Sequence, residues 1–299
     1  DAPLFKKFPD SQPQKENFLW VSNERARILM EQGMSPPETS DPANNSNSLM
    51  IDAQLTTELF GLLAPARADI AVDIALLPIR TTAILDAQWI SQFYVAMHAL
   101  ASRVDSSISL KRQTQWLAEQ AKGQLPIDSS AAKIYEFVKN QYLNNPDKDD
   151  WESTRDAVYQ RYQLSAMDGY TYHQPFDAGI NFAASLVSLF YGEGDIKRTV
   201  QIGTLAGWDS DNPTATWGGL LGFMLGKQGV ETAFNQTNLS NTYSIHRTRR
   251  NFPDQSPNQL GEDTFANMAA RDLRTIDRVV VELMQGTVNT ETNQWIIPL

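Results

Sequence analysis

From Ile51 onward, almost every segment of this chain repeats its apolar residues at steps of three and four, and alternation with a period of two is nearly absent. Helices show that spacing when they bury one face; strands alternate instead. Trp89, Phe93, Met97 and Leu100 share one helical face, and Ile134, Val138 and Tyr142 share another. Residues 17–33 carry a similar pattern through Phe18, Val21, Ile28 and Leu29. Helix punctuation agrees with this reading. Asp150 is placed to cap a helix starting at Trp151, and Asp195 a helix from Ile196 to Ala206. A final helix is predicted from Gly261 to Gln285, with Gly286 as its C′ residue. Only Asn293 to Ile297 reads as a short strand. The expectation is an all-α bundle of about ten helices.

A chain of 299 residues with 41% hydrophobic content can bury a sizeable core. The first seventeen residues are polar and read as an extended arm, and a stretch rich in Pro, Ser, Asn and Asp runs from Ser35 to Ser48. The chain therefore divides into an arm, helix and loop over residues 1–48 and an all-helical domain over residues 49–299, one domain overall. The net charge of -10 and a pI near 4.8 argue against a duplex nucleic-acid partner, which needs a basic surface. An acidic chain suits divalent cations, and it equally suits plain solubility. There is no cysteine, which excludes disulfides, thiolate metal sites and a cysteine nucleophile. Three histidines, His98, His173 and His246, are too few for a histidine-rich zinc site. No run of about 18 apolar residues offers a membrane span. Three glycosylation triplets begin at Asn44, Asn235 and Asn238, the first residue is Asp1 rather than Met, and no signal peptide is visible. Localisation stays open between the cytoplasm and secretion after processing.

The most informative stretch is Gly207-Trp208-Asp209-Ser210-Asp211-Asn212-Pro213-Thr214, followed by Ala215-Thr216-Trp217-Gly218-Gly219-Leu220-Leu221-Gly222. Two carboxylates lie two residues apart just before a helix. Within a helix they would point apart, but in the preceding turn both can converge on one hard cation. Magnesium takes oxygen ligands in a near-octahedral shell, and Asp209, Asp211 and the amide oxygen of Asn212 can supply them. The plainer alternative is helix capping and a favourable dipole interaction. Gly218, Gly222 and Gly226 recur every four residues and suggest that another helix backbone packs close against them.

This stretch resembles the carboxy-terminal metal motif of the ADP-ribosylglycohydrolases, the family that includes dinitrogenase reductase-activating glycohydrolase. The family pattern is similar to Gly-Gly-Asp-(Thr/Ala/Ser)-Asp-Thr followed by small residues. Asp209 and Asp211 match its two aspartates, Asn212 stands at the ligand Thr, and Trp208 stands where Gly is frequent. Phe176 to Asn181 opens an apolar helix, and Tyr191 to Asp195 a second helix that leads into the motif, as in the family. The resemblance covers residues 165–226 most closely and extends from residue 50 onward. The family's second metal motif, similar to (Ser/Thr)-Asp-Asp-Thr, finds its nearest counterpart at Ile51-Asp52-Ala53-Gln54. Asp52 matches the first aspartate, Ala53 stands at the second, and Gln54 at the Thr. The family's early Gly-Asp-x-x-Gly helix has no counterpart.

The resemblance implies a compact orthogonal multi-helix bundle and a magnesium-dependent hydrolase, with manganese able to substitute. It would cleave an ADP-ribosyl N- or O-glycosidic bond on a protein or a small molecule. Asp52, Asp209, Asp211 and Asn212 would hold metal, and Asp52 or Glu58 would act as the base. Tyr172, His173, Asp177 and Asn181 would contact substrate. Arg247, Arg249 and Arg250 could meet a pyrophosphate, or simply be solvated. His98 reads as a satisfied core residue, and nothing in the spacing demands a role for Arg80. Two further readings stand beside this one: a metal-degenerate binding or structural protein on the same scaffold, and a hydrolase of another glycoside or nucleoside.

Overall fold

The structure, a computed structural model, describes residues 19–105, 107–244 and 262–299. Helices dominate it. In chain order they are α1 (Val21–Glu31), α2 (Asp52–Thr57), α3 (Phe60–Leu63), α4 (Ala68–Ile79), α5 (Leu85–Leu100), α6 (Leu110–Ala121), α7 (Ser130–Asn144) and α8 (Glu152–Val158). After a π-helical turn at Tyr159–Leu164 come α9 (Ala178–Gly192), α10 (Ile196–Leu205), α11 (Asp211–Ala233) and α12 (Phe265–Glu282). Two small antiparallel hairpins complete the described residues: β1 (Thr242–Ser244) with β2 (Glu262–Thr264), and β3 (Thr287–Asn289) with β4 (Gln294–Ile296). The all-α expectation holds, and the terminal strand appears as β4. Among the described residues no helix is long and apolar enough to cross a membrane.

The core is built around α9, whose residues are all buried. Its sequence is apolar or small all round, which suits a helix enclosed by others. It packs against α5, α7, α10 and α11. Phe182 of α9 meets Phe93 of α5 with ring centroids 5.1 Å apart, in an edge-to-face arrangement. Trp217 of α11 lies fully buried against Tyr94 and donates its indole N–H to the Ser185 carbonyl at 2.8 Å. His98 is buried, with Nδ1 2.8 Å from the Tyr94 carbonyl, a core histidine as expected. Burial holds its pKa below the usual imidazole value.

Several boundaries differ from the sequence reading. Asp195 caps α10 through the Arg198 amide at 2.9 Å, as predicted. Asp150 accepts the Ser153 amide at 3.2 Å, and α8 starts at Glu152, one residue later than predicted. The last helix begins at Phe265, with residues 245–261 outside the described residues. It ends at Glu282, three residues before the predicted end, and Gln285 rather than Gly286 takes the left-handed conformation (φ 55°). Gly286 is needed for a different reason: a Cβ there would lie 2.6 Å from the Ile296 carbonyl of β4. The glycine stripe of α11 does not receive a second backbone. A Cβ on Gly218 or Gly222 would make only ordinary contact with a valine side chain, and Gly226 breaks the helix with φ 66° and ψ 170°.

The close approach occurs instead at Gly61, where α3 crosses α5. A Cβ there would sit 2.4 Å from the Val95 carbonyl and 2.5 Å from His98 Cβ. Gly61→Ala forces two backbones apart and should lower stability by about 1–3 kcal/mol. Denaturant unfolding would read this as a lower midpoint at unchanged slope; an unchanged midpoint would show that the crossing yields freely.

Candidate active site

Three distant segments meet at one end of the bundle. The residues before α2 pair with those before α9: Met50 and Asp177 form an antiparallel bridge. The Ile51 amide donates to the Phe176 carbonyl at 3.1 Å, and the Ala178 amide to the Leu49 carbonyl at 3.0 Å. Asn181, in the first turn of α9, accepts the Asp209 amide on Oδ1 at 3.0 Å. Its Nδ2 donates to the Pro175 and Asp177 carbonyls. Asn181 thereby fastens the Asp209 loop to the turn that already holds α2.

The loop itself is sharply bent. Gly207 (φ 99°) and Trp208 (φ 52°) are both left-handed. A glycine adopts that conformation freely, whereas Trp208 costs on the order of 1 kcal/mol. Its indole N–H bonds Gln163 Oε1 at 2.7 Å, which holds the residue there. The bend delivers Asp209 ahead of α11 and Asp211 as its first residue, with the two carboxyls within hydrogen-bonding reach. Burial raises the pKa of Asp209, and the neighbouring Asp211 and the charge of Asp52 raise it further. In electrostatic terms the three aspartates therefore share one locality. Among the described residues, however, no three acidic or histidine side chains close into a ready-made metal cage.

Asp52 opens α2 and is 1% exposed. Its Oδ1 accepts the backbone and side-chain N–H groups of Asn23, at 3.1 and 3.2 Å, while Oδ2 has no hydrogen-bond partner. Burial raises its pKa above the ordinary carboxylate value. An ionised, buried, half-satisfied carboxylate is costly unless a cation or a donor meets the free oxygen. The oxygen donors of Asp52, Asp209 and Asp211 are of the type magnesium prefers, so the residues present fit that ion.

Two features of the sequence prove to be one feature of the structure. Gln54 and Asn212, which stand at the two threonine positions of the family motifs, bond directly, the Gln54 amide N–H donating to Asn212 Oδ1. Both are 1% exposed, and Gln54 Oε1 and Asn212 Nδ2 have no partners. Exchanging both amide orientations preserves the bond and frees Asn212 Oδ1 instead. In either arrangement the pair leaves one amide oxygen and one NH2 group. One turn along both helices, Glu58 lies beside Thr216. Burial pushes the Glu58 carboxyl up to about 7, an effect that the Thr216 hydroxyl opposes.

The predicted substrate residues divide. Asp177 is buried, and its Oδ2 accepts the amides of His173 (2.6 Å) and Gln174 (3.2 Å) and the Tyr170 hydroxyl (3.4 Å). Asp177 and Asn181 thus brace the turn, whereas the side chain of His173 is exposed and Tyr172 is half-buried against the core. A cavity of about 260 Å³ bounded by Leu49, Asp86, Thr171, His173 and Asp177 adjoins this turn. A second cavity, of about 780 Å³, lies along α7 between Lys122, Phe137 and Arg161, and none of the predicted site residues lines it. His246, Arg247, Arg249 and Arg250 lie outside the described residues; Arg80 bonds Ser40 at 3.3 Å. Sequence reasoning missed Asn23, Gln163 and Thr216. The four-residue step from Asn212 to Thr216 could have flagged the last; no spacing links Asn23 or Gln163 to the motif.

The architecture is an all-helical bundle with an acidic loop at the start of α11, and a comparison with protein families assigns it. The family model described as ADP-ribosylglycohydrolase matches residues 11–259. The chain belongs to the ADP-ribosylglycohydrolase family, whose activity is hydrolysis of a glycosidic bond. No curated protein and no solved structure matches it.

Proposed function

We propose that the chain hydrolyses an ADP-ribosyl linkage in a magnesium-dependent reaction at the Asp52–Asp209–Asp211 locality, with manganese able to substitute. The observation that carries this reading is the buried Asp52 Oδ2, unpartnered in the same locality as Asp209, whose ionisation the Asp52 charge opposes. A bound cation supplies Lewis acidity toward the ribose hydroxyls and lowers the pKa of water. Asp52, Asp209 and Asp211 hold it, together with the free amide oxygen of the Gln54–Asn212 pair. Glu58, poised near neutral pH, accepts a proton from the attacking water. His173 and Tyr172, on the rim, contact the substrate, and Asn181 and Asp177 keep the loop and the turn in register. The substrate is an ADP-ribosylated protein or a small ADP-ribosyl compound.

Calorimetric titration with magnesium or manganese, with and without ADP-ribose, tests the proposal on the native chain and on Asp209→Ala. Cation-dependent ADP-ribose binding that vanishes in the variant is expected. A native chain that binds neither cation would overturn the mechanism and leave a binding protein on a hydrolase scaffold.

A further inference from the structure

We infer that the Gln54–Asn212 amide pair limits this site to a single divalent cation. The inference rests on the cation-dependent reading above and concerns what closes the α2 side of the site. Ala53, fully buried, contributes only a methyl group where a neighbouring carboxylate would otherwise stand. Gln54 and Asn212 then spend one N–H and one oxygen on each other. What remains is a single amide oxygen and a single NH2 group, both buried and unpartnered. An NH2 group cannot ligate a cation; it presents positive hydrogens and repels one. Asp52 adds one free oxygen, because Asn23 occupies the other twice. The charge balance agrees. Asp52, Asp209 and Asp211 supply three negative charges, enough to neutralise one divalent cation but not two. The unpartnered NH2 group suits an oxygen of the substrate instead.

Manganese alone is the probe, titrated into the full chain and read by calorimetry and by the loss of the free-ion electron paramagnetic resonance signal. The native chain is expected to bind one manganese. Asn212→Asp keeps an acceptor for Gln54, replaces the NH2 group with oxygen and adds a negative charge, so it should bind two. Gln54→Glu makes the same exchange from the other side and guards against one variant failing to fold, which thermal melting would reveal. Two manganese ions in the native chain would overturn the inference while leaving the cation-dependent reading intact. A folded Asn212→Asp and a folded Gln54→Glu that both stay at one would overturn the assignment to the amide pair. No binding by the native chain would overturn the cation-dependent reading itself, and the inference with it.

Discussion

Replacing Asp209 with Asn should lower kcat/KM for ADP-ribosyl hydrolysis about 10³-fold, roughly 4 kcal/mol of transition-state stabilisation. The same change should make the cation-free protein more stable. Asp209 is pushed toward its neutral form by burial, by the Asp211 carboxyl and by the charge of Asp52. An amide of the same shape removes one member of that mutually repelling set, for a gain on the order of 1 kcal/mol at neutral pH. Magnesium should raise the native melting temperature and leave that of the variant unchanged. The opposite signs of the two effects are diagnostic, because at a position that merely capped α11 asparagine would serve about as well and both stability and activity would stay near native. Asp209→Asn with activity within tenfold of native would remove Asp209 from the site.

Glu58→Gln should abolish much of the protein's pH dependence of stability. The Glu58 carboxyl has its pKa raised from 4.5 to about 7. The folded state therefore binds the proton more tightly than the unfolded chain does. The resulting stabilisation is fully present below about pH 4.5 and is lost as pH rises through 7. A shift of that size corresponds to a ceiling of roughly 3 kcal/mol. The glutamine has the same shape and cannot ionise. At pH 5 native and variant should melt together, and at pH 8 the variant should melt about 5 °C higher. A smaller slope persists in the variant, because Asp209 and Asp52 are shifted in the same direction. Equal destabilisation at both pH values would mean that Glu58 serves packing alone. Hydrolysis by Glu58→Gln should fall at every pH if the carboxyl takes the proton from water.

How much of this was legible in the sequence depends on the range over which each signal acts. Helix periodicity is local, so α5 and α7 could be read directly from their apolar spacing, and α10 from its Asp195 cap. The placement of the aspartate pair at a helix start was also legible, because that signal lies within a few residues. The glycines of α11 misled, since spacing reveals a smooth face but not what lies against it. Val200 and Val230 approach there, and the tight crossing is at Gly61, a lone glycine in a short helix. The substitutions at Gln54 and Asn212 looked like two separate losses. They are 158 positions apart, and only the folded chain shows that they answer each other. Asn23 was invisible for the same reason: its two bonds to Asp52 link a helix that the pattern showed but could not dock.

The strand-like bridge between Met50 and Asp177 bears on how the molecule comes into being. Most helices here can find their neighbours nearby in the chain, which favours early and rapid assembly. The bridge instead closes a loop of more than a hundred residues, and Asn181 adds the Asp209 loop to the same junction only afterwards in sequence. Loop closure over such a distance carries an entropic cost that local contacts do not repay. The junction of the three segments thus forms late: a nascent protein can be largely helical and still lack it until α11 has been synthesised.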